Sequence, residues 1–172
     1  MQIRPKNVKP GSSYESLLLT LGFIVVQWGH CEQTLEIFVN TIIDDYSVVA
    51  SLKRKRAPRQ ITDKLKFLTD SAYQIEALSE FRSDLAAVVT NFESLKQVRH
   101  NLIHGGLASP IAINSTYKFI RLDTLHTTPE VVYFDHDLKT FPALEARLMS
   151  LGDDILALAQ RIKVNMNSHI FP

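Results

Sequence analysis

Lys96-Gln97-Val98-Arg99-His100-Asn101-Leu102-Ile103-His104-Gly105-Gly106-Leu107 closes a long helical pattern, with an arginine and a histidine five residues apart and two glycines directly after. Working back from it, apolar residues recur in steps of three and four: Leu78, Phe81, Leu85, Val88, Phe92, Leu95, then Arg99, then Leu102. That period is the seam of an amphipathic helix, so Arg99 stands where a core side chain belongs. A guanidinium keeps its proton and is rarely buried alone. The seam is therefore expected to open at Arg99 onto a carboxylate, a phosphate or a cleft. Gly105 is expected to be the left-handed residue that ends the helix.

Outward from this stretch, the same period marks three more helices. After a polar arm over 1–11, Ser12-Ser13-Tyr14-Glu15 offers a capping box. The seam Leu17, Leu21, Ile24, Trp28, Cys31, Leu35, Phe38, Ile42 then predicts a first helix of about eight turns. Ile61, Leu65, Leu68, Ala72 and Ile75 predict a second, and the third is expected from about Ala77 to Ile103. A fourth starts near Thr140, tolerates Pro142 in its first turn, and runs through Phe141, Leu144, Leu148, Leu151, Ile155, Leu158 and Ile162, with Gly152 its weak position. Between the third and fourth helices the period changes. Tyr117–Leu122 and Val131–Phe134 read as two short strands, an inserted hairpin over 108–136 that must lean on the helices. The expected fold is all-α, an antiparallel four-helix bundle with a small β-hairpin between helices 3 and 4, forming a single domain over 1–172.

The first helix is apolar over more than one stripe. Phe23 and Ile37 flank His30 on one row, and Leu18, Val25, Glu32 and Val39 form another. A helix so broadly apolar runs through the middle of a bundle or meets a second subunit; we favour a homodimer. Glu32 is the odd member of its row, either half buried beside a group that wants negative charge or on the solvent side.

The 172 residues, 45% of them hydrophobic, suffice for one well-buried domain. A net charge of +1 gives no global field toward nucleic acid or an anionic membrane. Lys53-Arg54-Lys55-Arg56, with Arg59, is the one dense basic run. It is the candidate RNA-binding patch, although taken alone the run reads first as a solvated loop between helices. The single cysteine, Cys31, reads as a buried thiol in a reducing, cytoplasmic setting. The apolar run Leu17–Val26 is shorter than the roughly 18 residues that suggest a membrane span, and no small-residue cleavage site follows it. No membrane association is expected.

In an α-helix Arg99 and His104 are about 7.5 Å apart along the axis and about 140° around it. A long arginine can still reach the helix end, whose open carbonyls suit a histidine that holds and hands over protons. Asn101 adds an amide there. A charged fork, a titratable ring and a neutral hydrogen-bonder are adequate parts for attack of an RNA 2′-hydroxyl on its own phosphate without a metal.

Arg99-His100-Asn101-Leu102-Ile103-His104 resembles the signature of HEPN domains (higher eukaryotes and prokaryotes nucleotide-binding): Arg, a polar residue, three residues, His, often trailed by the Gly found here at 105. Leu21-Gly22 and Trp28-Gly29-His30-Cys31-Glu32 also look like bacterial HEPN-like proteins. The resemblance covers most of the helical framework but not the hairpin. It implies a bundle that dimerises so that two motifs face each other across a cleft. Many members are metal-independent endoribonucleases, acting as toxins or in antiviral defence. Carried over, Arg99 binds and stabilises the scissile phosphate and His104 is the general base or acid. The residue after the arginine, often Asn or Asp in the family, is His100 here; Asn101 can supply the missing amide.

Two other readings stand beside the enzyme. The chain can be a non-catalytic module that binds nucleotides or a protein, such as the companion of a nucleotidyltransferase in a toxin–antitoxin pair, which near-neutral charge favours. Alternatively, Arg99 ties Glu32 into a structural ion pair and the helices are a scaffold. No cofactor or metal is expected: His100 and His104 have helical metal spacing but no further ligand nearby, and His126 and His136 show no partner pattern.

Overall fold

Most residues of the predicted seams are buried in the computed structural model of the chain, which describes residues 9, 11–46, 56–109, 113, 115–123 and 129–170. Among these residues the order is α1 (Ser13–Tyr46), α2 (Ile61–Gln74), a 3-10 helix (Glu76–Phe81), α3 (Arg82–His104), β1 (Gly106–Leu107), β2 (Thr116–Asp123), β3 (Glu130–Asp137), a 3-10 turn (Leu138–Thr140) and α4 (Phe141–Ile170). The protein is mostly helical with one small antiparallel sheet. It divides into two compact units, residues 1–26 with 95–148 and residues 27–94 with 149–172. No helix among the described residues is long and apolar enough to cross a membrane.

In the unit of 27–94 and 149–172, the core is drawn from four helices. Leu35 and Phe38 of α1, Leu68 of α2, Phe92 of α3 and Ile155 of α4 are fully buried, each side chain contributing roughly 1.5–3 kcal/mol. Trp28 meets the Phe92 ring edge-on at 4.9 Å between centroids. Cys31 is buried as expected, and burial, its largest influence, pushes the thiol up to about 11. Buried and held protonated in this way, it packs as a core residue. Lys64, nearly buried, pairs with Glu36, whose carboxyl that lysine holds below its usual range.

The third helix begins later than its apolar period suggests. Ile75 is extended (φ −105°, ψ 110°), so residues 76–81 wind as a tighter 3-10 turn and the α-helix starts at Arg82. Arg82 Nε donates to the Ala72 carbonyl at 2.8 Å, satisfying one of the acceptors left open at the end of α2.

In the unit of 1–26 and 95–148, the capping box forms with a shift of one residue. Ser12 Oγ accepts from the Glu15 N–H at 3.2 Å, while the Glu15 carboxylate reaches back to the N–H of Gly11 rather than of Ser12. The Ser12 N–H is already donated to the Lys9 carbonyl. The sheet has three strands where two were expected, in the order β1-β2-β3. Gly106 and Leu107 leave the helix directly into register with Ile120 and Phe119, and β2 and β3 pair from Thr116↔Asp137 to Asp123↔Glu130.

One face of β2 carries Tyr117 and Phe119, both buried. Phe119 stacks on Phe134 of β3 at 5.7 Å. The Tyr117 hydroxyl donates to Ser13 Oγ at 3.1 Å, tying the sheet to the first residue of α1. Tyr117→Phe is expected to cost about 1 kcal/mol, read as a lower urea midpoint with an unchanged slope.

His136 completes this aromatic cluster. Its ring stacks on Phe141 at 6.2 Å and meets Phe119 and Phe134 edge-on at 5.7 and 5.9 Å. Burial pushes it below the usual imidazole value, with Asp135 pulling the other way. The unfolded chain therefore takes up this proton first as pH falls. Stability is expected to be flat well above the unfolded value of about 6.5 and to decline as pH drops through it toward the depressed folded value. Urea midpoints at pH 8 and pH 5 check this: His136→Phe should narrow the difference, and an equal difference in both proteins overturns it.

Candidate functional site

α3 ends without a reversal. The Gly105 N–H still donates to the Asn101 carbonyl at 3.0 Å, as in a continuing helix, and Gly105 does not have the left-handed conformation expected of it. Glycine is required there for space instead: a Cβ would overlap the Asn101 carbonyl oxygen and lie 2.7 Å from Phe134 Cζ. With Gly106 paired to Ile120, the next residue of β2, Arg121, is brought to the end of α3.

Arg99 is half buried and His104 exposed. Arg99 Nη1 lies 3.0 Å from His104 Nε2, so the flexible arginine closes the gap that the helical rotation leaves. A guanidinium only donates, which makes Nε2 the acceptor and puts the ring proton on Nδ1. The His100 ring sits 5.0 Å from that of His104. Partial desolvation, then the nearby Arg121, His104 and Arg99, hold His100 below the usual imidazole value; Asp123 opposes them. Asn101 Oδ1 accepts from Gln97 Nε2 at 3.0 Å and from Arg121 Nη1 at 3.1 Å. Arg121 Nη2 also lies 3.5 Å from Asp123 Oδ2.

Four of the residues expected at the site, Arg99, His100, Asn101 and His104, thus gather at one helix end. Glu32 belongs to the other unit. It is half buried and accepts the Trp28 indole N–H, one turn back on α1, at 2.5 Å. Lys53, Arg54 and Lys55 lie outside the described residues, as does His126; Arg56 is exposed.

Arg121 joins the site although it lies outside the helical pattern that marks the others. Its signal was the one that exposed Arg99. Residues 117, 119, 121 and 123 share a strand face, and after two buried aromatics that face continues with a cation whose side chain is only 19% exposed.

Chemically, the cluster presents guanidinium, imidazole and amide groups around one solvent-facing helix end, a set matched to an anion. Among the described residues no group of three or more His, Cys, Asp or Glu is placed to hold a metal ion. A separate groove of about 240 Å³, lined by Asp84, Asn91, Asp154 and Arg161 among others, lies in the unit of 27–94 and 149–172. Its arginine is already paired with Asp84 at 2.7 Å. No family model, curated protein or solved structure matches this chain.

Proposed function

We propose that this chain is a HEPN-like, metal-independent endoribonuclease of the toxin or antiviral-defence type, an antiparallel four-helix bundle whose composite active site forms at a homodimer cleft. The observation that carries the reading is the 3.0 Å contact between Arg99 and His104 at the exposed end of α3. When an RNA phosphodiester takes the Arg99 guanidinium, His104 Nε2 is released to accept the proton of the adjacent 2′-hydroxyl. The 2′-oxygen then bonds to phosphorus as the bond to the 5′-oxygen breaks. The second His104 of the composite site, contributed by the other copy and taking part in its protonated, imidazolium form, gives its proton to the leaving 5′-oxygen, and Arg99 stabilises the charge that develops on phosphate.

A homodimer is supported by α1, which leaves Leu18, Leu19, Val25 and Val26 between 40% and 69% exposed, with open space over Gly22. Such a face suits a second copy. The test is incubation of the purified protein with labelled single-stranded RNA in EDTA beside His104→Ala. Equal cleavage by both, or none by either over a broad set of RNAs, overturns the reading.

The net charge of +1 favours a second reading, a non-catalytic module that binds nucleotides or a protein such as an antitoxin or a nucleotidyltransferase partner. A thermal-shift screen with nucleotides, run beside a pull-down, distinguishes it: nucleotide stabilisation without RNA cleavage selects this alternative.

A further inference from the structure

The Asn101 amide has a fixed orientation. Arg121 can only donate, so the Asn101 atom facing it at 3.1 Å is the carbonyl oxygen. The same oxygen takes the Gln97 amide at 3.0 Å. Both of its lone pairs are then used, and the Asn101 NH2, at the other end of the amide, donates to no described residue. We propose that Arg121, supplied by the inserted sheet, is a positioning residue of the anion site: by occupying Asn101 Oδ1 it aims the Asn101 NH2 at a non-bridging oxygen of an RNA phosphodiester. This deepens the ribonuclease reading and rests on it for the identity of the substrate.

The geometry makes the sheet part of the site. Pairing of Gly106 with Ile120 sets Arg121 against the last turn of α3, and Asp123 at 3.5 Å steadies the guanidinium from the strand side. Asp123 and Asn101 together fix two edges of the arginine, which is how a side chain that orients another is held. His100 lies beside the same cluster, held below the usual imidazole value first by partial desolvation and then by Arg121, His104 and Arg99, with Asp123 opposing them.

The experiment uses the full chain, 15N-labelled, and a 2′-deoxy oligonucleotide that binds without being cut. The Asn101 side-chain NH2 signals are expected to shift on titration, and Asn101→Ala and Arg121→Ala each to weaken binding about 5–10-fold. The double variant should be no weaker than either single one, because both remove the same contact. Asn101→Asp keeps the acceptor for Arg121 but deletes the donor, so it should weaken binding at least as much as Asn101→Ala while preserving the urea midpoint; a merely structural bond would leave binding intact. Arg121→Lys, which retains a donor, should recover part of the loss.

Additive losses in the double variant, or unchanged binding in Asn101→Asp, overturn the positioning role. If RNA is cut normally by Arg121→Ala and Asn101→Ala, this inference fails while the ribonuclease reading stands. If the oligonucleotide binds with the coupling described but RNA is never cut, the reverse holds. An oligonucleotide that does not bind at all overturns the inference.

Discussion

His104→Ala is expected to lower the rate of RNA cleavage in EDTA by about 10²–10⁴-fold, the range for removal of a positioned general acid or base. His104 is exposed, and exposed substitutions usually change stability by no more than about 0.5 kcal/mol. The urea midpoint should therefore stay in place while activity goes. Affinity for an uncut oligonucleotide should change little, because the Arg99 guanidinium, proposed to hold phosphate, remains. Arg99 divides differently. Arg99→Lys keeps the charge but loses the planar fork that holds two oxygens at once, so it should impair both binding and turnover. Arg99 is also half buried on the α3 seam, and Arg99→Ala is the less informative change, since it removes packing together with charge. A His104→Ala protein that folds, binds and cuts at the parent rate removes the acid–base assignment.

The helical part of the fold was legible because its signal is repetitive. Leu78, Phe81, Leu85, Val88, Phe92, Leu95 and Leu102 are all buried, and the break in that series at Arg99 marks the half-buried cation of the site. A seam tells which face is covered but not the pitch of the backbone, so the 3-10 turn before Arg82 was invisible: the spacing of Leu78 and Phe81 suits either winding. Strand β1 was missed for a related reason. Two residues, one of them glycine, carry no period, and their partner Ile120 is fourteen positions away from Gly106. Glu32 was recognised as anomalous, yet its partner proved to be the indole of Trp28, four residues back on the same helix. Arg121 was legible in principle from alternation along β2. It stands on an inserted strand, outside the helical faces whose period marks the other site residues.

Gly105→Ala is expected to destabilise the protein by about 1–3 kcal/mol, the usual range for forcing atoms into a packed space, and to reduce RNA cleavage with it. The added methyl group meets two neighbours that cannot retreat. One is the Asn101 carbonyl oxygen, which accepts the Gly105 N–H itself; moving it away breaks the last hydrogen bond of α3 and shifts the helix end that holds Arg99 and His104. The other is Phe134 Cζ, at 2.7 Å, on a ring stacked at 9° against buried Phe119 and bordered by His136. Gly152→Ala supplies the control. Its Cβ also falls within contact range, 2.9 Å from His30 Cδ2, but His30 is exposed and its ring can swing away. Position 152 lies inside α4, where alanine is favoured over glycine by about 1 kcal/mol. That substitution should be neutral to mildly stabilising, with RNA cleavage unchanged. Urea unfolding of the two variants side by side decides the matter. Equal midpoints would mean that the close approach of Phe134 to Gly105 does not hold the end of α3 in place, and that the site depends on the helix alone.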